Sequence, residues 1–148
     1  MSGTKRTFVT PLDAVRDNDD EGLGTIRQEN GKFYKWVQYK EGSGTLDVAA
    51  GDFVGYTDYS ANQVTPDASD TDNVGAGVMQ AAVTADAKYC WIQIKGEASL
   101  NTNATGSAGN LMKFSADKTL AAVAAHADVG VAMALNGTVD SVILDCPF

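Results

Sequence analysis

A chain of 148 residues with 44% hydrophobic content is sized for one domain, and can bury a core without disulfides or a metal. Its net charge of −8 repels phosphate backbones and argues against nucleic acid as a partner. No stretch approaches the roughly 18 consecutive apolar residues of a spanning helix, so no such helix and no membrane partner are expected.

Much of the apolar content is alanine, so the expected core is thin and tightly packed. The charge is unevenly placed. Residues 41–87 hold eight acids and no Lys or Arg, while 11 acids and 11 bases balance elsewhere. Such a segment either serves solubility or turns a polar surface outward from a larger assembly. The opening residues lack the apolar stretch of a secretory signal, so the expected setting is a cytoplasm or an assembly built there.

Residues 1–22 read as an N-terminal arm. Lys5 and Arg6 give it positive charge, and Phe8, Val9 and Leu12 are apolar anchors that a purely solvated tail does not need. Extended over ~20 residues at ~3.3 Å each, such an arm reaches tens of ångströms; the plain alternative is a frayed terminus. Thr10-Pro11-Leu12-Asp13 has the order of a helix start, with a Thr cap, Pro in first position and an acid in the first turn. The acidic run ending at Gly22 would keep that helix short.

Asn30-Gly31 between two strand-like runs is the signal of a tight hairpin. The second run, Phe33-Tyr34-Lys35-Trp36-Val37-Gln38-Tyr39, is aromatic on both faces, so an expected role for its outer side is to meet another subunit.

Beyond a flexible Glu41-Gly42-Ser43-Gly44 break, the chain repeats itself. Ala50-Gly51-Asp52-Phe53-Val54 returns as Ala108-Gly109-Asn110-Leu111-Met112, and Asn73-Val74-Gly75-Ala76-Gly77-Val78 as Asp128-Val129-Gly130-Val131-Ala132-Met133. Gly51 precedes Gly75 by 24 positions and Gly109 precedes Gly130 by 21. Order and spacing therefore both survive, as in one supersecondary unit used twice. The units run over about residues 46–96 and 98–146, within a β-rich domain of residues 23–148. Short strands at close spacing define the expected fold class, an all-β barrel or sandwich built from two similar β units. The alanine-rich 121–125 segment reads as strand plus turn, because its counterpart around Val64-Thr65-Pro66 cannot be helical.

The chemistry-bearing residues are sparse. His126 is the only histidine and lies in a loop without a nucleophile-elbow pattern around it. Asp67, Asp70 and Asp72 open like a calcium loop, but Val74 stands where an oxygen ligand belongs and the bidentate Glu is missing. An acidic turn is the simpler reading. Gly75, Gly77 and Gly130 lack the Lys-Ser/Thr of a phosphate cradle and instead mark bulges or close backbone approach. Asn103 and Asn136 sit in glycosylation triplets that carry no meaning without secretion. Cys90 and Cys146 cannot cage a metal alone; alternation places both on the inward side of the last strand of their unit, as buried thiols. No catalytic residue, metal or cofactor is expected. Tyr89 and Trp91 lie opposite the Cys90 face and, with Trp36, are the expected subunit interface.

The repeated motifs, with Tyr89-Cys90-Trp91-Ile92-Gln93-Ile94-Lys95-Gly96 and the closing Val142-Ile143-Leu144-Asp145, resemble the capsid decoration (cement) proteins of tailed bacteriophages. The resemblance covers about residues 45–148, and the opening hairpin is similar to the preface such proteins often carry. The acidic 58–72 insertion and the arm depart from the simplest members. The resemblance implies a β-rich homotrimer on the outer surface of the virion. There it binds across neighbouring major capsid protein subunits and stabilises the expanded shell. Apart from the resemblance, the basic arm with its apolar anchors can order on a neighbour, which makes Lys5, Arg6, Phe8, Val9 and Leu12 the expected capsid contacts. The rival is a β-sandwich adhesion or carbohydrate-binding module using Trp36, Trp91 and nearby tyrosines. An enzyme fails for want of nucleophile, base or metal set.

Overall fold

The hairpin that opens the folded body rests on two residues. In the computed structural model, which describes residues 7–71, 74–101, 104–125 and 130–148, Asn30 and Gly31 both take positive φ, 51° and 76°. They join β2 (Ile26–Glu29) to β3 (Lys32–Tyr39) in antiparallel register. A two-residue turn with φ > 0 at both positions matches the right-handed twist of the strands it links. A two-residue strand, β1 (Val15–Arg16), comes before them and pairs elsewhere.

The rest of the chain is strands of three to twelve residues: β4 (Phe53–Asp58), β5 (Gln63–Thr65), β6 (Gly75–Met79), β7 (Lys88–Ser99), β8 (Leu111–Ala116), β9 (Thr119–Ala122), β10 (Ala132–Ala134) and β11 (Ser141–Asp145). Among the described residues there is no α-helix, only a 3₁₀ turn at Ala68–Asp70. The fold is all-β, as the spacing of short strands and turns implies.

Strand β3 closes the first half into a small barrel. It pairs in parallel with β5 and antiparallel with β7, and β5, β4, β6 and β7 are joined antiparallel in that order. A closed sheet has no free edge inside the ring. The twelve-residue β7 then runs on, and Lys95–Ser99 pair with β11, which continues the same sheet as an open run through β10, β8 and β9.

The sequence repeat is a structural repeat. Pairing runs β5-β4-β6-β7 in the first unit and β9-β8-β10-β11 in the second, and the two series meet at β7–β11. Register agrees residue by residue: Phe53↔Val78 and Val54↔Gly77 match Leu111↔Met133 and Met112↔Ala132. The turn that opens each unit agrees too. Ala49 N donates to the Asp52 carboxylate at 2.9 Å, and Ser107 N donates to the Asn110 amide oxygen at 2.8 Å. Gly51 and Gly109 both hold positive φ (91° and 82°) and donate to Met79 O and Ala134 O. Asp and Asn are interchangeable there because each offers an acceptor to a backbone N–H three residues back.

The two units share one core. Phe114 of the second lies 5.6 Å from Phe53 of the first, centroid to centroid. A side chain on Gly55 would strike the Phe114 ring, so a glycine is what seats it. Val37, Tyr39, Ile92, Ile94, Met112, Leu120 and Val142 are all without exposed surface in this cluster.

One local expectation fails. Thr10 caps no helix; residues 10–14 form a turn closed by Ala14 N donating to Pro11 O at 3.2 Å. The Thr10 hydroxyl is engaged by other partners: it donates to Glu21 and accepts from the Trp91 indole. A cap needs that oxygen for its own N–H groups. The 121–125 segment does take strand form at its start, in β9.

Candidate contact surface

The large aromatics of β3 and β7 come first, because alternation puts them on the outer face. Trp36 and Trp91 are register partners with ring centroids 5.1 Å apart, and both are wholly buried within the single chain. Their cover is the arm. Phe8 packs edge-on against Trp91 at 5.6 Å, and Leu12 and Tyr89 pack against the same cluster. Trp91 Nε1 donates to Thr10 Oγ1 at 2.9 Å, and Trp36 Nε1 donates to Asp19 Oδ1 at 2.8 Å.

The arm is held at both ends of this cover. One oxygen of the buried Glu21 accepts from Val9 N, Thr10 N and Thr10 Oγ1, at 2.8, 2.8 and 2.7 Å. Arg27 donates to Thr10 O at 2.9 Å and stands over the Phe8 ring. Of the residues expected to meet a subunit, Trp36 and Trp91 are therefore occupied by their own chain, and Tyr89 is half-buried beside Gln38, which donates to its hydroxyl at 3.3 Å. Of the arm, Phe8 and Leu12 turn inward, Val9 points to solvent, and Lys5 and Arg6 lie outside the described residues.

A different apolar surface is open. Leu111, Met133 and Ile143 sit side by side on β8, β10 and β11 in direct register. They are 53%, 44% and 41% exposed, and Leu135, two residues past Met133, is 40% exposed. The other face of these strands, Met112, Ala132, Val142 and Leu144, is buried. In the first unit the matching row is Phe53, Val78 and Gln93, aligned by the same register, and every member is buried. One copy of the row is covered and its twin is bare. This contiguous exposed apolar row is the candidate contact surface of the chain. The alternation that turns Cys146 inward turns Ile143 outward, and that is the signal for this row in the sequence.

The polar candidates hold together as structure. The Asp67 carboxylate accepts from Gly44 N at 3.0 Å and from Ser69 N and Oγ at 3.0 and 2.6 Å; Asp70 binds the Ser43 backbone and hydroxyl. The Ser69 hydroxyl chiefly, helped by the Gly44 and Ser69 N–H groups, holds the Asp67 pKa below the usual carboxylate value, against the opposite pull of burial. These acids pin the 42–44 turn. Among the described residues no three His, Cys, Asp or Glu side chains converge as a metal site; Asp72 and His126 lie outside the described residues, as does Asn103. Asn136 bonds to Asp140 within its own turn. Cys90 and Cys146 are free, buried thiols. Gly75 and Gly130 mark close approach in both units, the first against the Phe53 ring and the second against Leu111.

No family model matches this sequence, and no curated protein matches it. The class defined by the fold is an all-β protein of two like units, one closed into a barrel and one open.

Proposed function

We propose that this chain is a structural capsid decoration protein. It binds the outer surface of a phage head across neighbouring major capsid protein subunits and stabilises the expanded shell, working as a homotrimer. The observation that carries the reading is the bare Leu111–Met133–Ile143 row, whose twin in the first unit is buried. Covering three half-exposed side chains contributes about 1 kcal/mol each, too little for a lone stable contact. Weak contacts of this size become effective when a symmetric oligomer makes several at once. The resemblance of the repeated motifs to cement proteins supplies the identity of the partner. Val9, with the Lys5 and Arg6 that precede it, leaves the arm a second point of attachment.

Co-sedimentation of the purified protein with expanded, undecorated heads of its own virus tests this, with unexpanded heads as control. Saturable binding to expanded heads in fixed proportion to capsid subunits is the expected result, lost in the double variant Leu111→Glu, Met133→Glu. Absence of binding to either form of head would sink the proposal.

A further inference from the structure

Lys35 is a cation in an unusual place. It lies mid-strand on β3, flanked in register by Ile26 and Ile92, and is only 3% exposed. Its Nζ donates to Tyr56 Oη at 3.0 Å and stands over two rings, 5.0 Å from the Tyr56 centroid and 4.8 Å from that of Tyr59. An ammonium carries three donors. Among the described residues no carboxylate, that of Phe148 included, comes within ion-pair distance of it. This is a chain with 19 acids against 11 bases, yet among the described residues its buried lysine has no carboxylate within ion-pair distance. A buried charge without a partner is costly to keep, and burial alone draws the Lys35 pKa below the ordinary lysine value.

Lys35 lines a cleft of about 350 Å³ together with Ile26, Tyr59, Asn62 and Phe148. Tyr59 and Phe148 are tied together, the tyrosine hydroxyl donating to a carboxylate oxygen of Phe148. The Phe148 ring is steadied from its other sides by Phe33, edge-on at 5.9 Å, and by Lys95. The cleft thus has one cation, two aromatic walls and an amide side chain, with the Phe148 carboxylate engaged by Tyr59 and beyond ion-pair distance of Lys35. Pockets of this build orient a ligand by one charged group and hold it by apolar surface.

We propose that this cleft binds a carboxylate borne on a small apolar or aromatic group. Lys35 supplies the counter-charge, and the Tyr59 and Phe148 rings hold the attached group. The carboxylate comes either from a free organic acid or from the terminus of a peptide.

The test is a titration followed by NMR at the Lys35 side chain and the Tyr59 ring. Benzoate stands for the free acid and N-acetylphenylalanine for a peptide terminus. Their neutral amides, benzamide and N-acetylphenylalanine amide, are the controls. The expected result is saturable binding of at least one acid in the millimolar range, at least tenfold tighter than its amide, with the preferred acid identifying the source. Lys35→Met should weaken it at least tenfold. Tyr59 is more than half exposed, so Tyr59→Ala keeps the fold and should also weaken binding; it decides the matter if Lys35→Met does not fold. Absence of saturable shifts, equal binding of acid and amide, or full binding by Tyr59→Ala would each overturn the proposal.

Discussion

Trp36 and Trp91 face each other across β3 and β7, and each donates its indole N–H to a different part of the same arm, to Asp19 and to Thr10. The pair is thus capped by residues that lie 17 and 81 positions away in sequence. Buried indoles need such acceptors. In most strands an outward tryptophan pair of this kind is an invitation to a partner; here the chain answers it itself.

Glu21 is the post to which the arm is tied. Glu21→Ala leaves two backbone N–H groups and a hydroxyl without their charged acceptor, and should lower stability by about 3 kcal/mol. Urea denaturation followed by tryptophan emission measures this. The native spectrum should also shift to the red as Trp91 loses its cover. An unchanged midpoint and spectrum would mean the arm is not a fastening.

Gly77 and Ala132 occupy the same position of the two units but not the same space. A Cβ on Gly77 would run into the Gln93 carbonyl oxygen, which belongs to backbone and cannot step aside. Gly77→Ala should therefore destabilise by about 3 kcal/mol, whereas Ala132→Gly should cost about 1 kcal/mol. Thermal unfolding of the two variants compares them directly, and equal losses would contradict the packing described for β6.

Asp67 sets a dependence on acid. Its folded pKa is held below the unfolded value, mainly by the Ser69 hydroxyl. Its contribution is fully present above the unfolded carboxylate pKa, about 3.9, and is lost as pH falls through the folded value. Asp67→Asn should be less stable than the parent at neutral pH and should lose less stability between pH 5 and the acid limit of folding. Stability measured across that range gives the comparison; parallel curves would exclude the linkage.

Both thiols should be silent in the native state. Cys90 and Cys146 are 0% and 1% exposed, and burial pushes the Cys90 thiol up to about 12 and raises that of Cys146 as well. The thiolate is the reactive form. A thiol reagent at pH 8 should therefore find no fast-reacting group in folded protein and two in denaturant. A native reaction at either residue would place it nearer the surface than β7 and the end of β11 put it.

Much of the fold was legible residue by residue. Asn30-Gly31 announced its hairpin, because the dihedrals that this dipeptide favours are those the turn uses. The repeat was legible because each copy reuses the same glycines and the same side-chain acceptor at its opening turn. The inward placement of Cys90 and Cys146 followed from strict alternation. The helix expected at Thr10 does not form, since helix-start chemistry and strap chemistry use the same hydroxyl and only the distant Glu21 and Trp91 decide between them.

The sequence by itself determined the class of fold, the duplication, the hairpin and the inward faces, all of which are set by turn dihedrals and two-residue alternation within a few positions. Only the tertiary structure decided what covers each outward face. It folds the arm over Trp36 and Trp91, buries the Phe53 row and leaves the Leu111 row bare, and isolates Lys35 beside Tyr56 and Tyr59. Period-two patterning tells which side chains share a face. It does not tell which segment from elsewhere in the chain arrives to cover that face, because that depends on closure of β3 against β5 and β7, contacts made far apart in sequence.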